Sequence, residues 1–272
     1  MKLVNVGCGS VFHPTWINLD YAPSSPEVRA CDLRCGLPLG TGEAGAVYHS
    51  HVLEHLTPED GEAFLRECHR VLRPGGIVRI AVPDLEGLAR AYLDALDDPA
   101  GADPVRLEWL RLELIDQFGR ERPGGRVPGF VRSLDATGLA KVRTRIGLEL
   151  DALLNALHAP RRPLVSRLRR AGCRSIWRYF RVTLVRAGVW LIGGRSMVTA
   201  FDVGLYRGGG EVHRAVYDRF ALRALLERTG FAEVRVMGPG ESRITSFAAY
   251  GLEVDGGRVR KPDSLFMEAV RK

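Results

Sequence analysis

The sequence predicts an α/β fold in which a mostly parallel sheet is interrupted by a mainly helical insertion. Residues 1–92 alternate short apolar runs with loops and one well-capped helix, which is typical of strands joined by crossovers. Residues 217–270 show the same character. The arginine-rich stretch between them is too long for a structureless loop in a compact domain. We therefore predict a core of residues 1–96 and 211–272, with residues 97–210 inserted into it.

Short apolar runs in the N-terminal part predict the first strands. Four stand out, at residues 3–6, 16–19, 46–49 and 77–82, and a weaker one lies at residues 28–31. Near the C-terminus, residues 217–230 predict a helix closed by Gly230, residues 231–237 alternate like a strand, and residues 264–270 form a last strand pattern. Both ends of the chain are thus predicted to share one sheet.

A helix is predicted to begin after Thr57. Thr57 is a suitable N-cap, Pro58 suits the first helical position, and Asp60 places an acid in the first turn. The sequence Arg73-Pro-Gly-Gly76 ends this helix. Its apolar residues fall on one face: Phe64, Leu65, Cys68, Val71 and Leu72.

Composition is that of an ordinary globular protein with a basic surface. The chain has 272 residues, 46% of them hydrophobic, and a net charge of +7 that comes almost wholly from arginine. Guanidinium groups suit flat anionic partners such as phosphates and carboxylates. The five cysteines show no paired spacing, and we find neither a signal peptide nor 18 uninterrupted apolar residues. These observations predict a cytoplasmic protein with reduced thiols.

A glycine turn and two acidic residues indicate a nucleotide-binding edge. Gly7 and Gly9 directly follow the first strand, where glycine lets the backbone turn sharply and approach a ligand. Asp20 ends the next strand, and a carboxylate there can accept both hydrogen bonds of a ribose diol. Asp32 follows the third strand, where it can accept from an adenine amino group while the next N–H, that of Leu33, faces a ring nitrogen.

Two further motifs complete a recognisable order. After the acids come Tyr48-His-Ser-His-Val-Leu-Glu-His-Leu56 and Arg70-Val-Leu-Arg-Pro-Gly-Gly76, the second leading into a strand. This order resembles the class I, Rossmann-like S-adenosylmethionine-dependent methyltransferases, in the family called methyltransferase type 11. The resemblance covers residues 1–90 closely, and Thr229-Gly-Phe231 with the closing strand fits the family's last helix and hairpin, which implies a C-terminal antiparallel strand.

The resemblance implies S-adenosylmethionine as cofactor and assigns residues to it. Gly7 and Gly9 would pass under its methionyl part, and Asp20 would hold the ribose. Asp32 and Leu33 would frame the adenine.

The remaining assignments concern the reacting end of the cofactor. Ser50 and His51 would face the sulfonium and the acceptor, since ligands lie at the carboxyl ends of strands in such sheets, and Asn5 joins the cofactor-binding set. We predict His51 and His213 as general bases because imidazole titrates near neutrality. No metal ligand is assigned.

The sequence departs from the family pattern at its beginning. Only ten residues, including Pro14, separate Gly9 from Asp20, where such folds usually place a crossover helix, and the usual helix before the first strand is also missing. NAD binding is disfavoured because the third glycine and the pyrophosphate-binding helix are absent. We expect the insertion to complete the pocket.

Three alternatives remain open. His51-Val-Leu-Glu-His55 also matches an inverted zinc-peptidase pattern, in which two histidines one helical turn apart bind zinc and a glutamate acts as base. The basic charge favours an RNA methyltransferase, although the loop at Tyr48 lacks the Pro-Pro-aromatic pattern used on flipped bases. The third alternative is a module that binds the cofactor without chemistry.

Within the insertion, two stripes predict an amphipathic helix over residues 164–192. Arginines recur on one face and apolar residues on another, which suits an anionic membrane, a lipid-linked substrate, or packing on the core or a homodimer mate. The arginines are Arg167, Arg170, Arg174, Arg178 and Arg181, and the apolar residues are Cys173, Trp177, Phe180, Leu184 and Leu191.

Taken with a similarity to predicted methyltransferases of bacterial glycan assembly, these features predict methyl transfer to a hydroxyl or amine of a saccharide or related small molecule. Fold-level analogy does not fix the substrate.

Overall fold

The computed structural model describes residues 2–98, 101–159 and 173–272. The strands of the main sheet are β1 (Lys2–Val6), β2 (Ile17–Asp20), β3 (Val28–Ala30), β4 (Ala44–Ser50), β5 (Leu72–Pro83), β6 (Phe231–Met237) and β9 (Ser264–Arg271). A separate hairpin consists of β7 (Val254–Asp255) and β8 (Arg258–Val259). The helices are α1 (Pro58–Val71), α2 (Leu85–Leu96), α3 (Pro104–Gly119), α4 (Val127–Ser133), α5 (Ala136–Ile146), α6 (Glu149–His158), α7 (Cys173–Arg207) and α8 (Arg219–Arg228).

The main sheet is mostly parallel, as predicted. Its strand order is β3-β2-β1-β4-β5-β9-β6. The first five of these strands run parallel to one another, whereas β9 is antiparallel to both β5 and β6. All the strands predicted from the sequence are present, and both ends of the chain share the sheet. The loops after β1, β2 and β4 therefore emerge at one edge, where ligands bind in open α/β sheets.

Helix α1 begins where the sequence predicts. The Thr57 hydroxyl accepts a hydrogen bond from the Asp60 N–H at 3.1 Å, and Pro58 lies in the first turn. The five apolar residues predicted on its inner face are all buried, and they pack in the main core with Leu222, Leu225 and Leu226 of α8. Burying each such leucine stabilises the fold by about 1.5–3 kcal/mol. One face of the sheet is thus covered by α1 and α8.

The opposite face lacks the first crossover helix, as predicted. Residues 7–16, all of them described, contain turns and no helix. Residues 244–252, in the connection from β6 to β9, cover this face instead. Trp16 packs edge-on against Tyr250 with ring centroids 5.3 Å apart, and Tyr48 packs against Phe247 at 5.4 Å. The described residues that cover this face thus come from the C-terminal part of the chain.

A buried ion network fastens that connection to the sheet. Arg79 on β5 is fully buried and donates to Glu253 at 2.8 and 2.5 Å and to Glu268 on β9 at 2.9 Å. It also donates to the backbone carbonyls of Glu241 and Gly238, at 2.6 and 3.0 Å. Each nitrogen of the guanidinium thus donates to an acceptor, as a buried charge requires.

The described part of the insertion is mainly helical. Helices α3 to α6 form their own small core around Trp109, Val142 and Leu150, while Leu110 packs against Leu88 of α2. Helix α7 changes direction at Gly194, where φ is 65°.

Only part of the amphipathic segment predicted at residues 164–192 lies among the described residues. Arg167 and Arg170 lie outside the described residues, whereas Cys173, Arg174 and Arg178 belong to α7.

Removing one carboxylate from the buried network should be costly. We expect Glu268→Ala to lower the free energy of unfolding by about 3–5 kcal/mol, because the buried charge of Arg79 then keeps only one of its two carboxylate partners. Urea denaturation measures this loss. Glu43→Ala is the matched control, since its ion pair with Lys2 is exposed and screened by solvent. Equal losses in the two variants would contradict the role given to the network.

Candidate active site

The glycine turn after β1 is tightly constrained at Gly7. Gly7 has φ of 64° and Gly9 has φ of 54°, both in the left-handed region. A Cβ on Gly7 would lie 2.3 Å from Cγ2 of Val52, whereas a Cβ on Gly9 would meet no atom within 4 Å. Gly7 is therefore required for packing against the loop that follows β4. Gly9 leaves open space above the turn, where a cofactor can approach the backbone.

Asp20 and Asn5 hold this turn in place. The Asp20 carboxylate accepts from the N–H groups of Gly9 and Ala22, both at 2.8 Å. The Asn5 side chain donates to the carbonyl of Val11 at 3.1 Å. Asp20 stands at the end of β2, beside the turn, as the sequence predicts. Its role toward a ribose stays a prediction.

Asp32 and Leu33 lie at the end of β3. The Asp32 carboxylate caps a short 3-10 turn and accepts two bonds from the Arg34 guanidinium, at 2.9 and 2.6 Å. The side-chain and backbone hydrogen bonds from Arg34 lower the pKa of Asp32. Leu33 packs partly buried against the main core. The adenine-framing role of these two residues stays a prediction.

A cavity of about 590 Å³ opens between the glycine turn, the loop after β4 and the insertion. Six of the predicted site residues line it together: Asn5, Gly7, Gly9, Ser50, His51 and His213. Asp20, Asp32 and Leu33 are outside its lining. Helices α3, α5 and α6, or the loops at their ends, form one wall, so residues of the insertion do border the pocket.

His51 is fixed by interactions on both sides of its ring. It has φ of 54°, and its Nε2 lies 2.8 Å from the Ser264 hydroxyl at the start of β9. Its Nδ1 lies 3.1 Å from Oε1 of Glu54. Because both ring nitrogens are engaged, His51 links the loop after β4 to β9. Its predicted role as a base would require one of these contacts to open.

The zinc-peptidase geometry is absent. Leu53–His55 is a 3-10 turn, and His51 has a left-handed backbone, so His51 and His55 do not stand on successive turns of a helix. The zinc-peptidase alternative requires both histidines on one helix, and this loop does not meet that requirement.

His213 joins this loop from a distant part of the chain. Its ring lies edge-on to that of His55, with centroids 4.8 Å apart, and 5.8 Å from that of Phe118. Burial lowers the pKa of His213 to about 4 although the Glu54 carboxylate opposes the shift. His213 is therefore neutral at neutral pH and able to accept a proton.

Glu54 is almost fully enclosed at this point. Burial alone would raise the pKa of its carboxyl, but His51, His55 and His213 outweigh burial and lower the pKa to about 2. Glu54 is therefore a buried carboxylate at neutral pH.

Two acidic residues of the cavity have raised pKa values and were not predicted as site residues from the sequence. Burial raises the pKa of Glu113 on α3 to about 7, against the opposing effect of Arg145, and Trp109 also donates to this carboxyl. Burial likewise raises the pKa of Asp263, whose Oδ1 is buried without a hydrogen-bond partner among the described residues. Glu113 carries no local sequence signal, whereas Asp263 belongs to the Lys-Pro-Asp-Ser segment before the last strand.

A family model matches the part of the chain that contains β2, β3 and β4. The family model described as a methyltransferase domain matches residues 13–80, which include Asp20, Asp32 and the loop after β4. Among solved structures, a SAM-dependent methyltransferase from Thermotoga maritima is 12% identical over 100% of this chain and 82% of its own, with a TM-score of 0.40. One from Mesorhizobium loti is 17% identical over 99% and 90%, with a TM-score of 0.37.

One curated relative matches a short part of the chain. The aspartate–tRNA(Asp/Asn) ligase of Methylobacterium nodulans is 40% identical over 83 residues. This match spans 29% of the present chain and 13% of the ligase.

The methyltransferase-domain model matches residues 13–80, and the strand order and the glycine turn agree with the class I, S-adenosylmethionine-dependent methyltransferases that the sequence resembles. The residues fit that cofactor, since the open space above Gly9 and the cavity beyond it meet at the carboxyl ends of β1 and β4. The acceptor is a separate question.

We expect Asp20→Ala to weaken S-adenosylmethionine binding by about 10- to 100-fold, because a charge-assisted hydrogen bond to a ribose is worth about 1.5–3 kcal/mol. Isothermal titration calorimetry measures this loss. Glu27→Ala, an exposed acid seven residues further on, is the control. Unchanged affinity in Asp20→Ala would show that the ribose lies elsewhere.

Proposed function

We propose that this protein transfers a methyl group from S-adenosylmethionine to a hydroxyl or amine of a saccharide or related small polar molecule. One observation carries the proposal: the glycine turn and a wall of ionisable side chains face the same cavity. The glycine turn is the cofactor side, and the wall supplied by the insertion and the start of β9 is the acceptor side.

The composition of the wall supports a polar acceptor without a large negative charge. The cavity lining contains carboxylates of six residues and only four arginine or lysine side chains. Such a mixture of acceptors and donors suits a polyhydroxylated or amino-bearing molecule. A nucleic-acid backbone needs an excess of cations, which this lining does not offer. The basic net charge of the chain therefore does not translate into an RNA-binding cavity.

Catalysis of this kind requires few side chains. Bound S-adenosylmethionine would supply a methyl group on a positively charged sulfur, which leaves as a neutral thioether when the acceptor oxygen or nitrogen bonds to the methyl carbon. The acceptor gives up one proton in the reaction. The protein contributes the alignment, through the cavity wall, and a group that takes the proton. Of the two predicted bases, His213 is neutral and partly exposed to the cavity, whereas both ring nitrogens of His51 are engaged.

The acceptor class is tested by a transfer assay with radiolabelled S-adenosylmethionine. Host extract is divided into glycan, lipid, RNA and protein pools, and each is incubated with the purified protein. We expect label in the glycan or small-molecule pool. Label confined to RNA would overturn the proposal in favour of the RNA methyltransferase. Cofactor binding without label in any pool would favour the non-catalytic module.

We expect His213→Ala to lower kcat by about 10²- to 10⁴-fold while S-adenosylmethionine affinity stays unchanged. His158→Ala, which removes an exposed imidazole at the end of α6, is the control. Since the pKa of His213 is about 4, its ionisation should leave the rate flat between about pH 6 and about pH 8. A rate inflection near the ordinary histidine pKa that disappears in His213→Ala would contradict this assignment.

We also propose that α7 contacts an anionic membrane surface, which would bring the protein to a lipid-linked acceptor. Helix α7 exposes aromatic and aliphatic side chains, among them Trp177, Phe180, Trp190 and Leu191, the last with 76% of its surface accessible. Arg181 is exposed on the same helix. Within the described ranges, no helix has both the length and the apolarity to cross a bilayer. Interfacial binding in the plane of the membrane is the mode that this surface suits.

We expect the protein to float with vesicles that contain phosphatidylglycerol at low salt, and we expect Leu191→Asp to reduce this binding by removing apolar contact. Ile115→Asp is the matched control, because Ile115 is an exposed apolar residue on α3. Absence of flotation at low salt would contradict membrane contact. A dimer in light scattering that Leu191→Asp dissociates would assign this surface to a homodimer instead.

A further inference from the structure

We propose that Glu54, His55 and His213 bind one divalent transition-metal ion at the acceptor side of the cavity. Each of the three residues offers one ligand atom, and these atoms lie within 4.8 Å of one another. Ligands about 2.0–2.2 Å from a tetrahedral zinc ion are about 3.3 Å apart, so modest side-chain rotations complete the site. All three residues line the cavity.

The donor set is chemically selective. Two imidazoles and one carboxylate are a common protein ligand set for catalytic zinc and for non-haem ferrous ions. Three protein ligands leave at least one coordination position free, and here that position would face the cavity. Hard ions such as calcium, which prefer six to eight oxygen ligands, fit this set poorly.

Unsatisfied polar atoms provide a second, independent observation. Glu54 is 1% exposed; its Oε1 has the ion-pair contact with His51 Nδ1 at 3.1 Å, whereas its Oε2 is buried without a hydrogen-bond partner among the described residues. Nδ1 of His55 is also buried without a hydrogen-bond partner there. Buried polar groups are nearly always paired, because an unpaired one costs several kilocalories per mole. A cation between these groups would satisfy the carboxylate and the imidazole together.

The backbone holds the ligands in position. The N–H groups of Arg214 and Ala215 donate to the carbonyl of Glu54 at 2.7 and 3.2 Å, and the His213 N–H donates to the carbonyl of Gln117 at 3.1 Å. The segment that carries His213 is therefore fastened to both the loop after β4 and helix α3. Such preorganisation reduces the ordering required when an ion binds.

Neighbouring groups match the outer shell of a metal site. His51 Nδ1 lies 3.1 Å from Glu54 Oε1, and its other nitrogen is fixed by the hydroxyl of Ser264. Metal-binding histidines usually direct their second nitrogen to a backbone carbonyl or carboxylate, and ligating carboxylates are themselves held by neighbours.

A function for the ion rests on the proposed methyl transfer. A divalent cation at this position would lower the pKa of an acceptor hydroxyl so that its proton passes to water, and His213 would then hold the ion instead of taking the proton itself. Metal binding itself does not depend on that function. Its measurement therefore fails or succeeds separately from the transfer assay.

The test is metal binding by the full chain. Protein dialysed against a chelator is titrated with Zn²⁺ in a calorimeter, and Co²⁺ absorption reports the geometry of the site. We expect one ion per chain and an affinity that falls at least about 100-fold in His213→Ala and in Glu54→Gln. His158→Ala is the control, since it removes an exposed imidazole away from the cavity.

Circular dichroism and thermal unfolding establish that each variant is folded, and His55→Gln, which keeps much of the side-chain volume, replaces any variant that is not. No Zn²⁺ binding by the wild type at micromolar concentration would overturn the proposal. Equal affinity in wild type, His213→Ala and His55→Gln would also overturn it, because the ion would then bind elsewhere.

Discussion

The structure depends on one buried cation, the guanidinium of Arg79. The sheet has no helix between β1 and β2, so the face above β1, β4 and β5 would be exposed without another cover. Residues 244–252 provide that cover, and Arg79 fixes the segments beside them through Glu253, Gly238 and the carbonyl of Glu241 while holding Glu268 on β9. Its guanidinium carbon also lies 4.6 Å from the ring centre of Phe247, within cation–π range. Because a charge in the interior must keep its partners, strand and cover are stable only together.

The loop after β4 joins the two halves of the candidate site. Val52 lies directly under Gly7 and sets how closely the glycine turn approaches this loop. Two residues further on, the carbonyl of Glu54 receives the backbone of the segment that carries His213. The segment from Val52 to Glu54 thus shapes the cofactor side and fastens the acceptor side. A short, sterically constrained loop can serve both purposes because the carboxyl ends of β1 and β4 are adjacent in the sheet.

The acceptor side is built by residues that are remote in the sequence. Glu113 comes from the insertion, Asp263 from the start of β9, and His213 from the return to the core. Their burial produces strongly shifted pKa values, which are common at functional sites. The excess of carboxylates over cations in this cavity contrasts with the basic charge of the whole chain. An acceptor bound in the cavity interacts with the charges of the cavity lining and not with the net charge of the chain.

The sequence by itself determined the sheet, helix α1, the missing crossover helix and the glycine turn, because these depend on local patterns of apolar residues, caps and glycines. Six of the site residues predicted from the sequence line one cavity, and their roles stay predictions: Asn5, Gly7, Gly9, Ser50, His51 and His213. The tertiary structure alone decided what covers the second face of the sheet, since the contact between Arg79 and Glu253 joins residues 174 positions apart. It likewise decided that His51 is engaged on both nitrogens and that Glu54, His55 and His213 converge. Contacts between residues so far apart produce no local pattern in the sequence, because they form only when the whole chain packs.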